Sequence, residues 1–409
     1  MKTLLLLSVF VFPALAQAQT RGESVKTRGT AAVTEVEKPA APPVYLERLT
    51  KLYASQNQDP ELLQKRVEVA KAGGTFQLWR SFPPYFYDLL NRNPSILDTS
   101  RSGMCAGDAH AENFGFIHVT NAKGETPVFT INDMDDMTKC NLDADLLRLI
   151  ISHQMAGTKL TTEQILKSYS QGLSGAQKCE EPAYIKKLRK NASPGKALKE
   201  DYLSGCPEDE TLVTGEEAER LKNFHLEECQ ENDLISSVAK ETFAFACTQT
   251  KMDGGSAGEK RYTVVLSTKI QGSDTPVNTS AYELKPLVRS ASDAAANLGA
   301  PRDDARRLAN FEKAVLHNLG ENGSTHYQPK TFDGKLYQKR PHWEGNKGVK
   351  LKKIAPEQLD EVLSFETCIL GNFHARTLAP EKKSLSFDAK VWEKRASEVT
   401  EKFTKEFGI

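Results

Sequence analysis

The alternation of apolar and polar residues divides the chain into three stretches. Residues 60–72 place Leu62, Leu63, Val67 and Val69 on or near one face of a helix, and Gly73-Gly74 stops it. Residues 76–90 are aromatic-rich and helical in pattern, with Pro83-Pro84 marking a kink or a helix start. A polar loop at 107–115 separates two apolar segments, residues 128–131 read as a short strand, and 143–156 is a helix apolar on nearly every side, through Leu146, Leu147, Leu149, Ile150 and Ile151. From 161 to about 240 the pattern is charged and helical, interrupted around 193–207 by Gly, Pro and Cys. At Thr242 the period changes from helix to strand. Segments 243–248 and 261–268 flank the Gly-rich turn 253–258, and 281–288 is a third strand. A helix is expected over 303–319, a strand over 335–339 and a helix over 356–378. No repeat period is evident.

Composition adds bounds. Lys+Arg and Asp+Glu balance to a formal net charge of +0, so nothing in the bulk charge points to nucleic acid or a membrane surface. The first eighteen residues have the form of a signal peptide. Lys2 precedes an apolar run at 4–15, broken by Ser8 and Pro13, and both Ala14-Leu15-Ala16 and Ala16-Gln17-Ala18 offer a cleavage site. The run is short for a transmembrane span, although an uncleaved anchor is the alternative, and no Cys follows it to take a lipid. Residues 19–44, rich in Thr, Ala, Glu and Pro, read as a disordered linker. The expected mature protein is exported, periplasmic or secreted, with no membrane span. Export matters for the cysteines, since some of the seven are then expected to pair and at least one to stay free. Cys179 with Cys206 and Cys229 with Cys247 are the nearby pairings; the absence of CxxC argues against a zinc ribbon.

The densest polar cluster is Gly107-Asp108-Ala109-His110-Ala111-Glu112-Asn113-Phe114, followed by Phe129-Thr130-Ile131-Asn132-Asp133-Met134-Asp135-Asp136. Asp108 and Asn113 have the D-x-x-x-x-N spacing of a kinase catalytic loop. Such a loop needs an Asp to orient an attacking hydroxyl and an Asn oxygen to help hold magnesium. A second Asp after a strand completes the hard-oxygen ligand set. Asp133 fits that role, with Asp135 and Asp136 as neighbours or substitutes. An Asx-turn whose Asp and Asn satisfy backbone donors is the alternative. His110 is either a phosphate contact or structural, and Asp145 with Arg148 is expected to brace the loop as a buried pair.

These residues resemble a bacterial family known as domain of unknown function 2252, which is grouped with protein-kinase-like and aminoglycoside-phosphotransferase-like proteins. The family pattern reads roughly G-D-x-H-x-x-N-F-G, D-x-N-D-F-D-E and D-x-x-R-L. The chain departs from it at Thr130 and Met134, and at Ser81 in an upstream F-x-F-x-R-G-like segment. Later, Gly255-Ser256-Ala257-Gly258 followed by Tyr262 is similar to a family turn. Bottom-up this is a glycine hairpin whose N–H groups can approach phosphates, or simply a turn. Tyr282-Glu283-Leu284-Lys285 resembles the family strand that bears a Lys, which on an apolar strand either meets an anion or faces solvent at an edge. Glu312 is the candidate helix partner of Lys285, with Asn310 in another register. Leu370 to Arg376 is similar to the family's A-x-A-H-A-R ending.

The resemblance implies an α+β, two-lobed protein-kinase-like fold, circularly permuted because the Lys and Gly-rich turn follow the catalytic loop. It has a helical large lobe and a small antiparallel-sheet lobe. The expected division is a signal peptide at 1–18, linker 19–44, large-lobe part with catalytic loop and helical insertion 45–240, small nucleotide-binding lobe 241–345, and C-terminal helices 346–409 returning to the large lobe. The implied activity is phosphoryl transfer from ATP-Mg to an unidentified hydroxyl. Asp108 is catalytic, Asn113, Asp133 and Asp135 hold Mg2+, and Gly255, Gly258, Lys285 and Glu312 bind the nucleotide. The alternatives are a non-catalytic nucleotide- or ligand-binding module, motivated by the lack of ATP after export, and a metallophosphoesterase, faintly suggested by Asp108-x-His110 and Gly371-Asn372-Phe373-His374.

Overall fold

The first ordered helices form because the chain supplies their ends. Asp59 accepts the Leu62 amide at 2.7 Å and Pro60 occupies the first turn, so helix α2 runs Pro60–Ala72. It follows α1, Val44–Leu52, and precedes α3, Thr75–Ser81, and α4, Pro83–Arg92; the Pro pair therefore starts a helix rather than kinking one. The computed structural model describes residues 43–56, 58–97, 101–121, 124–133, 136–175, 178–192, 202, 204–231, 239–250, 258–270, 276–295, 323–342, 348–376 and 386–409. The signal expectation, the linker expectation up to residue 42, the 303–319 helix with Glu312, and Gly255 and Asp135 lie outside them; Val44, expected as the linker's last residue, already begins α1.

Helix α5, Leu142–Met155, is capped by Asn141 and is the most buried element. Its apolar faces explain that burial, yet it also takes Asp143, Asp145, Arg148, Ser152 and His153 out of water. A later helix, Leu359–Ala375, packs on it and on α6, Thr162–Ser174, which is set by a Thr161/Gln164 capping box, and α7, Ala183–Asn191, adds Ile185 to the same apolar core. The C-terminal helix Ala389–Phe407 completes this core. Trp392, Ala396, Val399, Phe403 and Phe407 form its buried stripe, a 3.6-residue period hidden among charged residues. Its rings meet the N-terminal helices: Trp79 lies 5.0 Å from Phe403, and Tyr85 lies 4.7 Å from Phe407.

All strand pairings among the described residues are antiparallel. Strand β1, Ser102–Cys105, pairs with β4, Thr138–Asn141. The hairpin β2, Phe114–Asn121, and β3, Gly124–Ile131, is extended by β9, Gly323–Ser324. The largest sheet contains β5 (Thr211–Leu212), β6 (Ala239–Thr250), β7 (Lys260–Ile270), β8 (Pro276–Pro286), β10 (Gln328–Phe332) and β11 (Lys335–Pro341), in the order β10-β11-β8-β7-β6-β5. Tyr262, Val264, Leu266, Tyr282, Leu284 and Tyr337 fill one face, against Leu221 and Phe224 of α8, Gly215–Glu231. Alternation sends Lys285 and its in-register neighbours to the other face. The architecture is thus a mixed α+β arrangement of helices and antiparallel sheets.

The nearby cysteine pairings do not form. Cys105 bonds Cys140, Cys179 bonds Cys368 and Cys206 bonds Cys247. Partners are chosen by which strands and helices meet, so Cys179 reaches a residue 189 positions away. No helix among the described residues is long and apolar enough to cross a membrane.

Candidate functional site

The loop between β1 and β2 is held from below by α5. The Asp145 carboxylate accepts the amides of Ala106 at 2.5 Å and Gly107 at 3.0 Å, together with the Tyr87 hydroxyl at 3.1 Å. His374 contacts its other side at 3.1 Å through Nε2, while His374 Nδ1 meets the Tyr169 hydroxyl at 2.8 Å. Ser152 accepts the Ala111 amide at 2.8 Å. Asp145 and Arg148 do not pair with each other: Asp145 grips the loop backbone, and Arg148 grips the Asp108 side chain, through Nη2 at 2.6 Å and Nε at 3.1 Å. Gly107 must be glycine here. Its φ is +81°, and a Cβ would fall 2.0 Å from the carbonyl oxygen of Asp136.

The same close approach joins the two motifs. Asn113 Nδ2 donates to the Asp108 carbonyl at 2.8 Å and to the Asp133 carbonyl at 3.4 Å, while its Oδ1 accepts the Asp133 amide at 3.0 Å. This pattern fixes which end of the amide is oxygen. Asp136 is buried and accepts the Ala291 amide at 2.7 Å. Lys285, 1% exposed, crosses from the large sheet to pair with Asp133 Oδ1, and Arg340 stands 4.0 Å from the same oxygen. Arg340 also donates to Glu283 at 2.8 Å and 2.7 Å. Asp108, Asn113, Asp133 and Lys285 therefore share one region. Gly258 packs instead on Leu62 and Gln58, the latter hydrogen-bonded to buried Arg66.

The charges are set by their neighbours. Burial works against ionising Asp108, but His110 and the permanently charged Arg148 outweigh it and hold the carboxyl at about 2. Burial lowers His110 below its ordinary value. His110 Nδ1 accepts the Glu112 amide at 3.1 Å, so the ring proton sits on Nε2, 3.5 Å from Asp108 Oδ2. Glu283, also buried, is held at about 2 by Arg340 and Arg261 against the effect of burial.

Several contributors carried no motif. Arg80 pairs with Glu112, which also accepts the Leu351 amide at 3.0 Å. Arg340 and Glu283 were detectable only as charged residues on the inward beat of their strands. The Gly371 to His374 stretch is inside the helical core, where His374 supports Asp145.

A donor set of Asp133 carboxylate and Asn113 amide oxygen suits Mg2+, which prefers oxygen ligands. The Asp133 side chain is 41% exposed, and the Asn113 oxygen, with one lone pair engaged by the Asp133 amide, has a second available.

Residues 59–168 match the model of a family described as "Uncharacterized protein conserved in bacteria (DUF2252)". This supports the family resemblance over the stretch that contains both acidic motifs. No curated protein matches the chain, and no solved structure does.

Proposed function

Taking that match over residues 59–168 as premise, we propose that the chain is a metal-dependent phosphotransferase on a permuted kinase-like scaffold. It moves the terminal phosphoryl group of a phosphoanhydride, ATP in the resemblance, to a hydroxyl. The observation that carries this reading is the meeting of Lys285 with Asp133, 152 positions earlier, beside an Asn113 that is tied to Asp108. A strand lysine, a strand-end aspartate and a D-x-x-x-x-N loop are the parts phosphoryl transfer requires. Lys285 also lies on the third strand of the meander β6-β7-β8.

Asn113 and Asp133 would hold Mg2+, which when bound neutralises charge on the transferring group. Lys285 would bind phosphate oxygens. Asp108, held at about 2, is too weak a base to remove a proton early; its work is to orient the hydroxyl. The acceptor oxygen bonds to phosphorus as the bond to the bridging oxygen breaks. The leaving phosphate keeps the electron pair, and the hydroxyl proton passes by way of Asp108 to solvent.

Thermal unfolding of the mature protein with ATP and Mg2+ tests the reading. Ligand at a hundred times Kd stabilises by about 2.7 kcal/mol, and Asp133→Asn is expected to abolish the shift. No shift with any phosphoanhydride sinks the proposal. A shift without turnover over a panel of hydroxyl acceptors identifies a binding module instead.

A further inference from the structure

We infer that the cleft recognises its phosphoanhydride through the phosphate chain alone, so that an inorganic oligophosphate is bound as well as a nucleotide. The inference rests on the phosphotransferase reading and names the ligand class of that same site.

Strand register carries the argument. Thr263 pairs with Glu283, Arg340 with Glu283, and Gln338 with Lys285. Since directly paired residues share a face, Arg261, Thr263, Glu283, Lys285, Gln338 and Arg340 all lie on the side from which Lys285 reaches Asp133. A nucleobase needs an apolar or aromatic floor; among the described residues of this sheet Tyr262, Tyr282, Phe332 and Tyr337 lie on the opposite face, and Phe245, on this one, is already packed with Val265, Ala281 and Tyr202. Beside Lys285 the strand offers Glu283, held by Arg340 and, at 3.5 Å, by Arg261. An uncharged ring laid on that row would cover a carboxylate and two guanidinium groups already paired with one another, and would displace the water on their exposed edges without replacing its hydrogen bonds.

Further along, the face is already covered. Tyr202, 1% exposed, packs with Val265 and Ala281, its hydroxyl 3.5 Å from Thr263 Oγ1 and its ring 5.2 Å from His342. The Cys206–Cys247 disulfide ties the neighbouring segment to β6.

Gln338 points the same way. It is 0% exposed, and among the described residues neither amide atom has a hydrogen-bond partner. A buried amide left so is costly, and a bound acceptor would relieve it. Gln338 lies directly opposite Lys285 on the neighbouring strand, and a side-chain amide there can turn its N–H groups toward an anion that Lys285 holds. Lys285, Arg340 and Gln338 together suit several phosphate oxygens and read nothing of a base.

Calorimetric titration of the full mature chain with Mg2+ and tripolyphosphate, ATP, GTP or adenosine decides it. The expected result is a tripolyphosphate Kd within ten-fold of the best nucleotide, with no heat from adenosine. Arg340→Gln, checked for native circular dichroism, should weaken tripolyphosphate and ATP by the same factor. Either nucleotide binding ten-fold or more tightly than tripolyphosphate overturns the inference, as does an Arg340→Gln loss confined to ATP. Binding of none of the phosphoanhydrides removes the phosphotransferase reading itself, an outcome distinct from nucleotide selectivity.

Discussion

Arg148 and Asp145 sit one turn apart on α5 and do different work, and substitution separates them. Arg148 is 0% exposed and is stacked near Trp79, 5.0 Å from the ring centroid. Arg148→Met keeps much of that packing and leaves Asp108 without its guanidinium. The expected loss is roughly 3–5 kcal/mol, read by urea unfolding, with the Asp108 carboxyl moving up from about 2 in an NMR titration. A second residue-scale case is Glu366 beside His153, both 0% exposed with Oε2 and Nε2 3.5 Å apart. Burial raises Glu366 well above the ordinary carboxyl and lowers His153 to about 3. Glu366 is then neutral when folded but ionises when unfolded above about pH 4.3, so its contribution falls as pH rises beyond that point. His153 opposes it: the unfolded ring protonates below about 6.5, so that contribution falls as pH drops from there toward 3. Glu366→Gln removes only the first effect. Its Tm advantage over wild type is expected to be small at pH 4 and to grow to several degrees by pH 8; a constant difference across that range would contradict the assignment. Asp108 and Glu283, both held at about 2, contribute stability above about pH 4 that is lost as pH falls toward 2.

At the scale of elements, a loop and a turn meet through one missing side chain. Gly107→Ala would put a methyl into the Asp136 carbonyl while straining a positive φ. We expect a loss of more than about 2 kcal/mol, together with loss of the proposed ATP-Mg2+ stabilisation because Asp108 is the next residue. Gly157→Ala is the control. Its φ is also positive, at +83°, but a Cβ there meets nothing within 4 Å, so only the backbone strain of about 1 kcal/mol applies. Comparable losses for the two variants, measured as unfolding midpoints, would show that the Asp136 contact is unimportant. The strand meander follows a simpler rule. Period-two alternation puts rings on one side and charges on the other, and both faces are satisfied by different neighbours, α8 on one and the acidic motif on the other.

Across the whole molecule, the cross-link between Cys179 and Cys368 ties the segment preceding α7 to the helix Leu359–Ala375. It closes the longest loop of the three bonds, with a separation of 189 residues. Replacing both cysteines by Ala is expected to cost about 2–5 kcal/mol in chemical unfolding, with the ligand response intact because neither cysteine touches the acidic motifs. Cys105–Cys140 differs, since Cys105 precedes the Ala106 and Gly107 amides held by Asp145. Losing it is expected to loosen the loop as well as the fold.

The local elements and the positions of the acidic motifs at their ends were legible along the chain. Helix α2, the buried α5, the β6-β7-β8 meander and the Asp108, Asn113 and Asp133 cluster follow from periodicity, caps and motif spacing, which act over a few residues. The C-terminal helix was expected only through the resemblance, because its apolar stripe is thin among charges. Only tertiary structure decided the pairings: that Lys285 meets Asp133, that Arg148 takes Asp108 while Asp145 takes backbone, that Glu283 is shared by Arg340 and Arg261, and that Cys179 finds Cys368. Such partners are hundreds of atoms apart along the chain. Burial and sheet register bring them together, and a buried charge must then pair with whatever opposite charge the packing supplies.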